Sequence, residues 1–418
     1  MKPPRPRHTT PGIFATRGRR LVGYLLPVVV LVLLVWAASE IVGLRVVRVS
    51  RRAVPLRQAD ATPGKAPMAE ESRADLTAET PRNIILVIAD GFGFSHLTAA
   101  RTTLHGINGA SVWDRFSHVG WQRTHPVVGF ITDSGAAATA LATGHQTNYE
   151  ALGVDVDGSP LENLFERAAD LGYRTGIVTD SYIWDATPAA FVTHSPQRGN
   201  DNAGATLRQL GESSLEILVG ELEDVGEDEV PEWEASVELL GERFEVLGPN
   251  ADAALLRRLE TAESQTVAIF EEDQVTDLES NPNLPSLAGA ALRRLSSDQR
   301  PFVLLIESEE SDAAGHKNDF GRVLRGLEAL DSTLEMVLDF ASEGGETLVV
   351  FTSDHETGGL ALSIADWHNM QLEAIWASRD HTGSVVPVLA VGPGAEVFGG
   401  SHGNWELGRL LGRMLRQP

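Results

Sequence analysis

Along the chain, two hydrophobic patterns alternate. Continuous apolar runs rich in β-branched residues predict buried strands at "NIILVIAD" (83–90), "YRTGIVTD" (173–180), "FVLLIESEE" (302–310), "TLVVFTSDHE" (347–356) and "VVPVLAVGPG" (385–394). Apolar positions spaced three and four apart predict amphipathic helices at "LENLFERAADLG" (161–172), "LPSLAGAALRRLS" (284–296), "GRVLRGLEALDSTLEMVLDFA" (321–341) and "NWELGRLLGRML" (404–415). Strands that are apolar throughout must be covered on both faces. The pattern therefore predicts an α/β fold with a largely parallel central sheet flanked by helices on both faces. No internal repeat is present.

Two regions depart from this rhythm. From Glu212 to Glu245 there are thirteen acidic residues against one basic residue, Arg243. The segment near 211–247 reads as an acidic surface insertion, more readily a solvated face than a calcium site. At the other end, "LVGYLLPVVVLVLLVWAA" (21–38) carries no charge and meets the lower length limit of a membrane-spanning helix. Residues 1–20 are basic and free of acids, which expects a cytoplasmic N-terminus. Residues 21–44 then form either a transmembrane signal anchor or a signal peptide cut near "LVWAAS". Residues 45–80, rich in Ala, Pro and charge, read as a linker, and the folded domain is expected over 81–418. Either reading places that domain in the periplasm or outside the cell, membrane-anchored or secreted.

Charge and composition narrow the classes. The formal net charge is −24, but eleven of the 34 basic residues and one of the 58 acidic residues precede Gln58, so the remainder stands at −34. A nucleic-acid-binding surface is not expected on such a domain. The acidic excess instead suggests a high-salt setting or simply a soluble acidic surface. Absence of cysteine excludes thiolate metal sites, disulfides and a catalytic thiol.

The chemistry collects where strands end. Asp90, Asp180, Glu307 and the pair Asp354–His355 each close an apolar run. In open α/β sheets ligands bind beyond the carboxyl ends of the strands. Carboxylates converging there repel one another unless cations lie between them. In "ESEESDAAGH", Asp312 and His316 are four apart, on one side of a helical turn, and "DHTGS" offers His381 on a turn. Asp312, His316 and His381 make a zinc site with an open position, and Asp90, Asp354 and His355 a second. Finally, "TDSGAAATALATG" (132–144) puts Asp-Ser before a run of small helix formers. It reads either as a capped helix or as a serine held at a helix N-terminus, where backbone donors favour an anion.

These segments together resemble the alkaline phosphatase family over about residues 82–413. "NIILVIADGFG", "TDSGAAATALATG", "DATPAAFVTHSPQR", "ESEESDAAGH", "TSDHETGG" and "DHTGS" resemble its successive site segments in order, and "VPVLAVGPGAEVF" its last strand. The resemblance implies two Zn2+ and one Mg2+. Asp312, His316 and His381 would hold the first zinc, and Asp354, His355 and Asp90 the second. Asp90, Thr187 and Glu307 would hold magnesium, with Asp185 reaching it through water. Ser134 would be the nucleophile, Arg198 the phosphate clamp and Asp133 its support. Small phosphomonoester substrates, inorganic phosphate as product, and a homodimer or a monomer are further implications. Two features depart from the family pattern. Ala313 stands where some members carry Lys or His near the phosphate, and the segment between Gly359 and His381 is short.

Overall fold

A computed structural model of the chain describes residues 79–416 apart from 200–201, 223–232, 242, 249–252, 277–278 and 367–370. The basic segment 1–20, the apolar segment 21–44 and the linker as far as residue 78 lie outside the described residues. Among the described residues no helix is long and apolar enough to cross a membrane.

The strands, in chain order, are β1 (Asn83–Ala89), β2 (His118–Arg123), β3 (Arg174–Tyr182), β4 (Ile217–Leu222), β5 (Glu245–Leu247), β6 (Thr266–Glu271), β7 (Phe302–Ser308), β8 (Thr347–Thr352), β9 (Glu356–Thr357), β10 (Ala361–Asp366), β11 (Gln371–Ile375), β12 (His381–Thr382), β13 (Val386–Val391) and β14 (Gly400–Gly403). Ten of them form one sheet in the order β14-β2-β13-β8-β1-β7-β3-β4-β6-β5. All pairings in it are parallel except those of β13, which runs against both β2 and β8. The sheet is therefore largely parallel.

Its strands are apolar throughout because each feeds two cores. Along β1, Ile84, Leu86 and Ile88 enter one cluster, and Ile85, Val87 and Ala89 the other. Strands β7 and β8 divide the same way, with Leu305 and Val350 on one side and Leu304 and Phe351 on the other. This is the two-residue alternation of a strand with helices on both faces. Each such aliphatic side chain contributes about 1.5–3 kcal/mol by leaving water. Among the covering helices, Leu164–Asp170, Leu284–Leu295, Phe320–Gly344 and Asn404–Met414 fall within a few residues of the spans the periodicity predicts.

Strand register brings the site together. Ile88 lies level with Glu307 on one side and with Thr352 on the other, while Thr179 lies level with Glu307. The carboxyl-end portions of β1, β3, β7 and β8 therefore lie side by side, with Asp90 and Asp354 just past β1 and β8 and Asp180 and Glu307 in the last residues of β3 and β7. Beyond β8, the two-residue ladder of β9 with β12 sets His381 opposite Thr357. That pairing folds the "DHTGS" turn back over the end of β8. The short segment after Gly359 makes the β10–β11 hairpin.

The acidic segment 211–247 is corrected by the structure. It is not a surface insertion: it supplies β4, buried along its whole length, and β5, which together extend the parallel sheet. Its apolar core "LEILVGEL" sits among acids that mask it in the sequence, and residues 223–232 and 242 lie outside the described set. One of those acids, Glu221, is itself buried and accepts the backbone N–H groups of Asp273 and Val275, each at 2.8 Å. Burial pushes its carboxyl up to about 8. A carboxyl raised in the folded state favours folding most when protonated, and that contribution is lost as pH climbs through the raised value. Stability should thus fall between the ordinary carboxyl range and pH of about 8, by an amount on the order of a few kcal/mol for a shift this size. Urea unfolding of Glu221→Gln is expected to show a flatter decline across that window. An identical slope in variant and wild type would mean that Glu221 is ionised throughout.

Candidate active site

The helix Ser134–Thr143 begins where the sequence places it. Asp133 is its N-cap, accepting from Gly135 N at 3.0 Å and Ala136 N at 3.3 Å, and Gly144 closes it with φ of 75°. The Asp133 carboxylate also accepts from Glu150 N at 3.0 Å. The donors of this N-terminus are therefore largely taken by Asp133 rather than left open for an external anion. What faces the Ser134 hydroxyl is instead His355, whose Nε2 lies 3.2 Å from Ser134 Oγ. The alanines that follow are buried, and Ala140 O lies 2.4 Å from where a Cβ on Gly408 would stand. The small residues serve close packing against the C-terminal helix.

Two clusters of ligand atoms lie beside the serine: Asp90, Asp354 and His355, all buried, and Asp312, His316 and His381, partly exposed. In the first, His355 Nε2 is 3.2 Å from Asp354 Oδ2 and 3.5 Å from Asp90 Oδ1. In the second, His316 Nε2 is 3.2 Å from Asp312 Oδ2, four residues back on the helix Glu310–Lys317, and 3.2 Å from His381 Nε2. The clusters touch: the rings of His355 and His381 stack with centroids 3.6 Å apart. Close approach depends on Gly91, whose φ is +70° and whose absent Cβ would come within 2.7 Å of the Asp312 backbone.

The histidine tautomers point to cations. His316 Nδ1 meets the carbonyl of Arg379 at 2.5 Å, and His381 Nδ1 meets that of Thr132 at 2.9 Å. A carbonyl only accepts, so both Nδ1 atoms carry a proton, and each Nε2 presents a lone pair whenever its ring is neutral. Thr357 gives its hydroxyl proton to Asp312, so it accepts from His355 Nδ1 at 3.2 Å, and that ring too turns a lone pair inward. Two Nε2 atoms 3.2 Å apart beside a carboxylate gather positive charge there, either as a proton on His316 or as a bound cation. The buried set shows the same need: among the described residues, Asp90 Oδ1 and Asp354 Oδ2 have no hydrogen-bond partner. Burial, then the neighbouring Asp354 and Asp312, drive the Asp90 carboxyl well up, and burial drives Asp354 up to about 7. Asp312 goes the other way. Burial opposes its ionisation, but the His316 hydrogen bond and the nearby imidazoles hold it low. The Asp312 bond in turn lifts His316 to about 9. Both clusters thus attract positive charge, and their donor sets fit divalent cations.

A third group of oxygens adjoins them. Glu307 is buried and accepts from Thr179 Oγ1 at 2.5 Å, and burial, then Asp185, pushes its carboxyl well up. Thr187 is buried beside Glu307, and its hydroxyl favours the ionised form of that carboxyl. Asp185 accepts from Ser181 Oγ at 2.9 Å and pairs with Arg198 at 2.9 Å. The guanidinium stands farther from Asp133, at 3.9 Å. Asp133 is thus first a helix cap, and Asp185 is the closer partner of Arg198. Asp180, a strand-end acid, joins neither metal cluster. It accepts from Ser308 Oγ at 3.2 Å and Glu309 N at 2.6 Å and fixes the turn after β7. Motif reading passes over Thr357, which orients Asp312 and His355 together, and the two carbonyls that orient His316 and His381. A threonine two residues past His355 is the sole sequence signal for any of them.

The fold and this layout are those of an α/β metalloprotein whose cation sites lie over the carboxyl ends of a parallel sheet. The chain belongs to the alkaline phosphatase family: the family model for alkaline phosphatase matches residues 81–241 and 241–375. Alkaline phosphatase 3 of Bacillus subtilis (strain 168) is 30% identical over 315 residues, 71% of this chain and 66% of that protein. Alkaline phosphatase 4 of the same organism is 26% identical over 447 residues, 84% of this chain and 91% of that protein. Among solved structures, alkaline phosphatase from the Antarctic bacterium TAB5 superposes with a TM-score of 0.70 at 26% identity, covering 81% of this chain and 98% of that one. A mutant of the TAB5 enzyme with Mg bound in its M3 site gives a TM-score of 0.71 over the same shares.

Proposed function

We propose that the chain hydrolyses phosphate monoesters through a phosphoserine at Ser134. The observation that carries this reading is the contact of Ser134 Oγ with His355 at 3.2 Å, inside two adjoining histidine–carboxylate clusters. Asp312, His316 and His381 would hold one zinc ion, and Asp90, Asp354 and His355 another. Glu307, Thr187 and Asp90 would hold magnesium, with Asp185 reaching it through water. An imidazole-containing set suits zinc, and an all-oxygen set suits magnesium. The mutant TAB5 enzyme with Mg in a third site accords with the last assignment. When bound, the cations supply positive charge and Lewis acidity that ease loss of the serine and water protons.

The chain's own residues do the rest. Ser134 Oγ attacks phosphorus opposite the ester oxygen; the Oγ–P bond forms as the P–O bond to the alcohol breaks. Asp133 and the helix cap hold the serine at a fixed height. Arg198, turned inward by Asp185, offers parallel N–H donors to two phosphate oxygens, a geometry lysine does not reproduce. Ala313 brings no charge of its own, so Arg198 is the cationic side chain assigned to the substrate. Water then attacks the phosphoserine, releasing inorganic phosphate and restoring the hydroxyl. A monoester dianion suits so many cations better than a diester monoanion. The zinc- and magnesium-supplemented protein should therefore turn over p-nitrophenyl phosphate at least about a hundredfold faster than bis(p-nitrophenyl) phosphate. A faster diester rate would assign the site to diesterase chemistry, and no turnover of either would leave a metal- or phosphate-binding protein.

The remaining implications of the apolar N-terminus belong to the same reading. We propose that the hydrolytic domain works in the periplasm or outside the cell, tethered by residues 21–44 or released when they are cleaved.

A further inference from the structure

We propose that Phe130 and Ile131 form a leaving-group subsite, an apolar rim beside the His381 cluster that selects phosphate monoesters of apolar alcohols. The inference rests on the proposed monoester hydrolysis and names the class of alcohol it favours. The site itself is built of acids, imidazoles and a guanidinium. Yet the two residues that lead into Thr132, Asp133 and Ser134 are a phenylalanine 54% exposed and an isoleucine 44% exposed. Large apolar side chains left in water forgo the free energy of burial. Grouped beside a polar site, they mark a surface that meets an apolar partner.

Contacts on two chain segments fix where the ring stands. The Thr132 carbonyl meets His381 Nδ1 at 2.9 Å, so the segment leading to the nucleophile runs beside the turn after β12. The Phe130 ring lies against Gly383 of that turn: a Cβ there would fall 2.1 Å from the nearest ring atom, and glycine leaves the room. Side chains two apart along an extended chain share a side. Thr382 Oγ1 lies 3.0 Å from Ser384 Oγ, so those two share one side, and His381 and Gly383 take the other. The ring therefore stands on the side from which His381 reaches Asp312 and His316. Val385, two residues past Gly383, is 38% exposed and adds another apolar side chain to the turn.

The direction of attack sends the alcohol there. Ser134 Oγ faces His355, whose ring stacks on that of His381 with centroids 3.6 Å apart. In-line attack leaves the ester oxygen on the side of phosphorus opposite Ser134. The ester oxygen then faces the Asp312, His316 and His381 cluster, the more exposed of the two, and the carbon chain behind it meets Phe130. An apolar chain sheds water against that ring. A polyhydroxylated alcohol would have to give up hydrogen bonds to water for no new partner.

The test compares n-hexyl and ethyl phosphate on the full-length, zinc- and magnesium-loaded protein. The two alcohols are nearly equally acidic, so the intrinsic reactivity of the esters is matched. Wild type should favour the hexyl ester in kcat/KM by at least about tenfold, less than full burial of the longer chain would give because the ring stays half open to water. Phe130→Ala should bring that ratio to within about twofold of unity at full zinc content. Phe130→Leu, which keeps an apolar side chain, should give an intermediate ratio and serves should the alanine variant fail to fold. Equal kcat/KM for the two esters in wild type, or the wild-type ratio in either variant, would overturn the inference and leave the hydrolytic reading standing. So would a Phe130→Ala protein that keeps the ratio but changes its oligomeric state by light scattering, which would assign the rim to contact between copies of the chain. A wild type that hydrolyses no phosphate monoester would overturn both.

Discussion

Ser134→Ala should lower kcat for a phosphate monoester by at least about a thousandfold while leaving the fold and the zinc content intact. The asymmetry follows from where the residue sits. The helix Ser134–Thr143 is capped by the Asp133 side chain, not by the serine hydroxyl, and alanine is the best helix former. Ser134 is buried beside His355, and alanine removes one oxygen without opening a sizeable cavity. Stability should change by no more than about 1 kcal/mol. The ligand atoms of both clusters belong to other residues. Metal analysis and thermal unfolding of the variant, beside its steady-state rate, check the prediction. Turnover within about tenfold of wild type at full metal content would remove Ser134 from the nucleophile's role.

Removing the metals should have the second large effect, on activity and stability together. Asp90, Asp312 and Asp354 occupy touching clusters, and Asp185 and Glu307 adjoin them. Burial and mutual repulsion already drive Asp90 and Glu307 toward their protonated forms. Cations that bind only the folded state shift unfolding by mass action, so stripping them removes that stabilisation. Dialysis against a chelator should abolish monoester hydrolysis and lower the melting temperature by several degrees, a loss of about 2 kcal/mol or more. Zinc followed by magnesium should restore both. Full activity in protein shown by elemental analysis to lack metal would contradict the assignment of both clusters.

Much of this was legible because strand ends are simple signals. An apolar run closing in an acid marks both where the chain leaves the sheet and which oxygen it delivers there; Asp90, Glu307 and Asp354 follow that rule. The Asp312–His316 spacing survives translation because a helical turn fixes it locally. His381 was legible only as a histidine on a turn, since the β9–β12 pairing that brings it to the Asp312 cluster is a long-range contact. Strand β4 stayed hidden for a physical reason: its apolar core is flanked by acids, and Glu221 is buried through backbone hydrogen bonds that composition does not reveal. Asp133 looked like support for Arg198, but its short contacts go to backbone N–H groups, and Asp185 lies closer to the guanidinium.

The central claim is covalent chemistry at one serine, and trapping it is the most direct test. Zinc- and magnesium-loaded protein would be mixed with excess phosphate monoester, quenched in acid, digested and analysed by mass spectrometry. The account predicts one phosphate on the peptide containing Ser134, lost when the protein is stripped of metal or when Ser134 is alanine. An enzyme that turns over the same monoester while its trapped phosphate sits on another residue, or on none under any quench, would contradict it.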